Sequence, residues 1–209
     1  IFDPKRVEFG SVIPWKLAVL RVAFQRYLGK RGDPFRESYR RFRQEKASWL
    51  EDYSLFMALK EANGGAPWNQ WDKALRLRHP QSMQAASIEL AEDIERIAFW
   101  QFLFFRQWEG LREYAHRHGI IFIGDAPIFV AEDSADLWAN QELFHLDGNG
   151  HLKFQAGVPP DYFSQTGQLW GNPLYRWRAH KTTGYSWWIA RIRAVLRLVD
   201  IVRLDHFRG

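Results

Sequence analysis

The chain has 209 residues, 46% hydrophobic and 25% charged, which fits a folded globular core and excludes a disordered or low-complexity chain. No apolar stretch reaches the roughly 18 residues of a membrane-spanning helix, and with no cysteine neither a disulfide nor a thiolate metal site is possible. The net charge of +5 raises the idea of a nucleic-acid surface, but Arg36, Arg40, Arg41, Arg43, Arg191, Arg193 and Arg197 lie beside acids and aromatics, so solvated helix faces are the expected reading and neither nucleic acid nor membrane is expected as a partner. The first residue is Ile1, with no basic-then-apolar leader, so a mature product or an internal piece is expected; the lack of cysteine fits the cytoplasm, or a plastid in a plant source.

In chain order, residues 1–32 read as an entry segment with a short helix from Pro14 to Leu28, ending at Gly29. Asp33 caps the next helix, with Pro34 at its first position. That helix is expected to break near Ala47, where Ser48 and Glu51 form a capping box for another ending at Gly64-Gly65. Pro67 to Trp71 reads as a turn before a short helical piece. One long helix is expected from Ser82 or Ser87 to His118, with Leu90, Ile94, Ile97, Ala98, Phe105, Trp108, Leu111 and Ala115 on its apolar stripe and Gly119 as its stop. Ile120 to Ile123 is β-branched and reads as a strand buried on both faces, ending in Gly124-Asp125. A decorated loop of about 55 residues follows, against a usual 2–6. Inside it, Glu142 to Phe154 reads as a hairpin turning at Asp147–Gly150. Ser186 caps a helix to Leu198, and a last buried strand starts near Val199. Residues 1–118 are thus a largely helical segment (an insertion subdomain plus a barrel helix), and 119–209 carry two strands around the loop at about 131–185.

Three features carry chemistry. Asp125 ends one strand; capping the turn that follows is the alternative reading. Arg203 and Asp205 share a face of the last strand, as alternation requires, and burying them is costly unless they pair internally or react. Charged residues at the C-terminal ends of parallel strands are where barrel active sites sit, and both ends face one crevice. The Gly/Pro-rich run from Gly157 to Tyr175 holds Tyr162, Phe163 and Trp170, either as a binding loop whose rings stack on sugars or as a loop collapsed on its own aromatics. The chain holds 11 Trp and 16 Phe, a heavy aromatic content, with many of them expected in the Gly/Pro-rich loop rather than in helices, where they would be core.

The segments Gly124-Asp125-Ala126-Pro127-Ile128-Phe129-Val130, Val158-Pro159-Pro160-Asp161-Tyr162-Phe163-Ser164, Trp170-Gly171-Asn172-Pro173-Leu174-Tyr175 and Val202-Arg203-Leu204-Asp205-His206-Phe207-Arg208-Gly209 together resemble the 4-α-glucanotransferases called amylomaltase or disproportionating enzyme, glycoside hydrolase family 77 in the α-amylase clan. Gln101 to Trp108 is similar to that family's helix before the third strand. The resemblance implies an α/β fold, part of a (β/α)8 TIM barrel with helical and loop insertions and incomplete in this chain, with the two strands as barrel strands three and four. It implies a hexosyl-transferring glycosyltransferase acting on α-1,4-glucans (maltooligosaccharides, starch or glycogen), without cofactor or metal. Asp205 matches the nucleophile and Arg203 the arginine that orients it. Asp125 matches an aspartate lining the glucose subsite, Tyr162 and Phe163 the stacking aromatics, Trp170, Asn172 and Pro173 the rest of that loop, and His206 a supporting residue.

The implied mechanism is a retaining double displacement through a glycosyl-Asp205 intermediate, which needs a second carboxyl roughly 5–5.5 Å away. In the family that acid is a glutamate on the following strand, which this sequence does not contain. A closed barrel needs eight strands and two cannot close a sheet, so these 209 residues alone are expected to be an inactive piece of a longer enzyme. A hydrolase of the same clan and a non-catalytic glucan-binding remnant are the alternatives.

Overall fold

The computed structural model describes residues 3, 5–30, 32–162 and 164–205. Its helices are α1 (Phe9–Gly29), α2 (Phe35–Ala62), α3 (Lys73–Arg76), α4 (Pro80–Glu89), α5 (Ala91–Arg117), α6 (Ala135–Ala139), α7 (Trp177–Thr182) and α8 (Ser186–Leu196), with 3-10 turns at Trp68–Gln70 and Gln141–Leu143. The strands are β1 (Ile123–Ala126), β2 (Gln155–Val158), β3 (Gln168–Pro173) and β4 (Ile201–Leu204). β1 and β4 form a parallel pair, and β2 and β3 an antiparallel pair with a register shift between Gln155 and Gly157.

α2 is the shared spine of two hydrophobic clusters, which is why it runs unbroken through Ala47 instead of stopping at a capping box. It gives Tyr39, Phe42 and Leu50 to a cluster with Phe24 and Tyr27 of α1 and Ala98, Phe99 and Phe102 of α5. There the Tyr27 ring stacks on Phe99 at 4.4 Å. Its second half gives Leu55, Phe56 and Leu59 to a cluster with Trp68, Trp71, Leu137, Trp138, Phe144 and Tyr175. Each large ring withdrawn from water contributes about 2–3 kcal/mol, so packing along the whole helix outweighs a local cap worth about 1 kcal/mol.

Other expectations shift in detail. α1 begins a turn early at Phe9 and takes Pro14 inside it, with Val12 donating to the Glu8 carbonyl at 2.9 Å. The Asp33 carboxylate does accept from the Phe35 amide, at 2.8 Å, at the start of α2. The expected long helix is two, bent at Leu90 (φ −99, ψ 19), although backbone bonds continue across the bend (Leu90 to Ala86, Ile94 to Leu90, both 2.9 Å). Leu111 lies exposed rather than on the buried stripe. α5 stops where expected: Gly119 takes φ +70 and the Ile120 amide reaches back to the Ala115 carbonyl. Ser186 is the first residue of α8, and the preceding cap is Tyr185 in the left-handed region (φ 59). The turn at Asp147–Gly150 forms, but its flanks meet only at the bridge Leu146–Leu152; the extended hairpin of this region is β2–β3.

The parallel pair starts later than the sequence suggests and one face of it is open, not buried. Ile123 is 67% and Ile201 48% exposed, because no described element covers the face they share with Asp125 and Arg203. Its position is set from the opposite end. Trp108, Arg112 and His116, four residues apart on one face of α5, all reach the segment leading into β4. Trp108 Nε1 donates to the Leu198 carbonyl at 2.8 Å and Arg112 Nη1 to the Arg197 carbonyl at 2.9 Å. Asp200 accepts from Arg112 Nη2, lies 2.9 Å from His116 Nε2 and accepts from the Phe122 amide at 2.9 Å. The amides of Asp200 and Ile201 in turn donate to the Phe122 carbonyl.

The Arg112 hydrogen bond first, then the Phe122 amide and His116, hold the Asp200 carboxyl well below the ordinary aspartate value of 3.8. A depressed folded-state pKa adds stability that is complete above the unfolded value and is lost as pH falls below it toward the folded value. The melting temperature of Asp200→Asn in the full-length protein is therefore expected to lie below wild type at neutral pH, with the gap narrowing below about pH 4. A gap independent of pH would show that the Asp200 charge is not what holds β4.

Candidate active site

The parallel register brings two of the expected site residues face to face. Asp125 of β1 is the Cα partner of Arg203 of β4. Arg203 Nε donates to Asp125 Oδ1 at 2.6 Å and Nη2 to Oδ2 at 2.7 Å, a two-pronged fork. Both side chains are more than half exposed on the open sheet face. The Asp125 hydrogen bonds, and then its charge, raise the Arg203 pKa, and Asp205 adds a further attraction through space. Asp205 follows directly after β4, exposed, two residues beyond Arg203. The guanidinium fork thus engages Asp125, not the carboxylate of Asp205 that the resemblance assigns to it. Asp125 spends one lone pair of each oxygen on the fork and keeps the others for further donors such as sugar hydroxyls.

Gly124 fits here for a steric reason. A Cβ at this position would stand 2.7 Å from Val199 Cγ1 and 3.1 Å from Cγ2, so the segment entering β4 packs against bare backbone.

The run expected as an open binding loop is built, not loose. β2 and β3 close a hairpin whose end is tied by the Asp161 carboxylate accepting from the Ser164 amide at 2.8 Å and by Ser164 Oγ donating to the Gly167 carbonyl at 2.8 Å. Tyr162 stands at this tip and is 98% exposed. Trp170 lies on β3, 36% exposed, its Nε1 donating to Gln168 Oε1 at 3.0 Å and its ring 6.2 Å from that of Phe129. The last two residues of β3 turn inward: Asn172 Nδ2 donates to the Val130 carbonyl at 3.0 Å, and Pro173 is fully buried. They form the base of the hairpin and not its surface. Phe163 and His206 lie outside the described residues.

A sequence profile of the 4-alpha-glucanotransferase family matches residues 2–209. The chain belongs to the 4-alpha-glucanotransferase family. It is 51% identical over 208 residues to a 4-alpha-glucanotransferase of Thermus thermophilus and 47% over 209 residues to one of Synechocystis, in both cases across 100% of the chain. It spans 42% and 41% of the length of those relatives. The structure of an amylomaltase from Streptococcus agalactiae in complex with acarbose superposes with a TM-score of 0.92 at 38% identity, over 100% of this chain and 42% of that one. The fold is therefore that of part of a TIM barrel with helical and loop insertions, and the open face of β1 and β4 is the consequence of two parallel strands standing without the neighbours a barrel supplies.

Sequence reasoning missed how the base of the site is fastened. Tyr175 closed the motif but carried no role, and Arg191 was placed on a solvated helix face. In the structure Tyr175 is buried, its hydroxyl donating to the Ile128 carbonyl at 2.7 Å, and Arg191 is bonded to the turn after β1. The spacing of Arg191 from Trp187 and Trp188 was a usable signal, since a guanidinium one turn from two indoles stacks on them.

Adding one methyl group at Gly124 tests the close approach. Gly124→Ala is expected to destabilise the full-length protein by about 1–3 kcal/mol, and Val199→Ala in the same chain to recover most of the loss, read by denaturant unfolding. Additive losses would place the Gly124 constraint elsewhere.

Proposed function

We propose that the full-length protein transfers α-1,4-glucan segments to the 4-hydroxyl of glucose or of another glucan, with β1 and β4 as barrel strands three and four. The observation that carries the reading is the Asp125–Arg203 fork at the C-terminal ends of two parallel strands, with Asp205 directly beyond and the β2–β3 hairpin bonded at its base to the turn that follows Asp125. Active sites of barrels are assembled at this end of the strands.

In this reading Asp205 attacks the anomeric carbon and forms a glycosyl-enzyme ester. The leaving oxygen takes its proton from a second carboxyl on a part of the parent outside these residues. The same group then deprotonates the incoming 4-hydroxyl, and two displacements retain the anomeric configuration. The fork holds Asp125 in a fixed orientation, so its remaining lone pairs accept hydroxyls of the glucose unit being transferred. The Arg203 guanidinium stands two residues before Asp205 and places a positive charge near the carboxylate that attacks. Tyr162 and Trp170, with Phe163 beside them in sequence, offer ring faces to the apolar C–H faces of the glucan and shield the ester from water during acceptor exchange. We take the substrates to be maltooligosaccharides, starch or glycogen, used without metal or cofactor in the cytoplasm or, in a plant, a plastid.

Maltotriose supplied as the sole sugar to the full-length protein is expected to yield glucose together with chains longer than the input, and Asp205→Asn to lower kcat by about a thousandfold or more while the protein still binds glucan. Shorter products alone would replace transfer by hydrolysis, and an active Asp205→Asn would remove the nucleophile assignment. Tyr162→Ala is expected to raise KM for long maltooligosaccharides about tenfold, the equivalent of one lost stacking contact, with kcat for maltotriose little changed. An unchanged KM for long chains would take the hairpin tip out of substrate binding.

A further inference from the structure

We propose that Arg191 is a positioning residue for the site: it locks the turn that follows Asp125 to the base of the aromatic hairpin and to the helix that leads into β4. The catalytic consequence rests on the glucanotransferase reading; the lock itself stands on geometry alone.

Residues 127–130 leave β1 two residues after Asp125, and their carbonyls would otherwise be unpaired turn oxygens. Arg191 of α8 reaches two of them, donating from Nη2 to the Pro127 carbonyl at 2.6 Å and from Nη1 to the Ile128 carbonyl at 3.1 Å. Nη1 also donates to the Tyr175 hydroxyl at 2.9 Å, and that hydroxyl donates onward to the Ile128 carbonyl at 2.7 Å. Asn172 takes the Val130 carbonyl. Between them the Phe129 ring stacks on Tyr175 at 6.2 Å with the planes 13° apart. The turn is thus fastened along its length by the end of the hairpin and by α8, and α8 leads into the strand that carries Arg203 and is followed by Asp205.

Arginine suits this place for stated reasons. Its planar fork serves two carbonyls and a hydroxyl at once, where a lysine ammonium is a point donor without that fixed spread. Its flat faces lie against Trp187 and Trp188, 5.5 and 5.0 Å from the ring centroids. Its charge is answered by Asp136, whose carboxyl burial pushes up and Arg191 pulls down. Burial also pushes the Tyr175 hydroxyl up to about 12, so at neutral pH it keeps the proton it donates to Ile128. A displacement of about 1 Å at a reacting group costs on the order of a hundredfold in rate, so a turn this close to Asp125 is a sensitive point.

The test uses the full-length protein with Arg191→Met, Arg191→Lys and Tyr175→Phe. Two quantities are read: hydrogen exchange of the 123–131 peptide against a control peptide in α2, and kcat and KM for maltotriose well below each melting temperature. Arg191→Met is expected to speed exchange of 123–131 about tenfold or more with the α2 peptide unchanged, and to lower kcat/KM between about tenfold and a hundredfold. Lysine recovers part of both effects, and Tyr175→Phe gives a smaller change in the same direction. Exchange within twofold of wild type overturns the lock, and faster exchange with unchanged kinetics overturns its positioning role. If Arg191→Met does not fold, Tyr175→Phe, which keeps the ring and removes the bridging hydroxyl, decides by the same two readings. If the wild-type protein does not lengthen maltotriose, it is the glucanotransferase reading that falls, and the exchange measurement still decides the lock.

Discussion

The position of Asp200 governs how the C-terminal end of the parallel pair is presented. One carboxylate gathers a guanidinium and an imidazole from α5 and the amide of Phe122, the residue just before β1, immediately before its own chain becomes β4. The paired backbone bonds from Asp200 and Ile201 to the Phe122 carbonyl fix the first rung of the parallel ladder. From that rung the register runs Ile123 to Ile201, Gly124 to Val202 and Asp125 to Arg203. A slip of one residue would turn Arg203 to the opposite face and break the fork, because strand side chains alternate. The ion cluster at the N-terminal end of the strands therefore determines which charges meet at the C-terminal end, though the two lie at opposite ends of a four-residue strand.

The helices serve this arrangement as a support. α2 joins two aromatic clusters along one continuous helix, and α5 carries one cluster in its first half and the three side chains that hold the β4 approach in its second. The Trp138 end of the support is fastened to the decorated loop by Lys60 with Asp133 and by Arg78, which pairs with Asp52 and lies 4.1 Å from the Trp138 ring centroid. These ion pairs are partly exposed and each contributes little alone; their value is in fixing where the loop leaves the helices. Most of the stabilisation comes from the rings, so the loop between β1 and β4 is a packed layer rather than a free excursion.

How much of this is legible in the sequence depends on the range of the interaction. Asp125, Arg203 and Asp205 could be placed on one face because alternation along a strand is a local rule, and the end of α5 at Gly119 could be read because a left-handed residue is a local requirement. The continuity of α2 through Ser48 could not, since a capping box is visible in the sequence while the two distant clusters that override it are not. The bend at Leu90 has no glycine or proline to announce it. The open face of β1 and β4 reads as buried because an apolar parallel strand normally is, whereas no described element covers it. Arg191 was misread for the opposite reason: its carbonyl partners lie more than sixty residues away in the chain, so nothing near it in sequence marks it as bonded. The motif nominated the residues of the proposed site, and the fold shows that the Arg203 fork engages Asp125.

A transferase of the proposed kind faces two demands on the same loop. It must hold the sugar-binding carboxylate still, and it must let one glucan leave and another enter without admitting water. The hairpin divides these tasks along its length. At its base, Asn172, Pro173 and Tyr175 are half-buried or buried and bonded or packed under the turn after Asp125. At its tip, Tyr162 is almost wholly exposed on a short turn closed by Asp161 and Ser164. Motion of the tip therefore need not disturb Asp125, because the ladder bonds of β2 and β3 and the anchors on the 127–130 carbonyls lie between them. In the proposed reading, a hairpin fastened at its base to the turn after Asp125 and bearing Tyr162 at its exposed tip serves both demands.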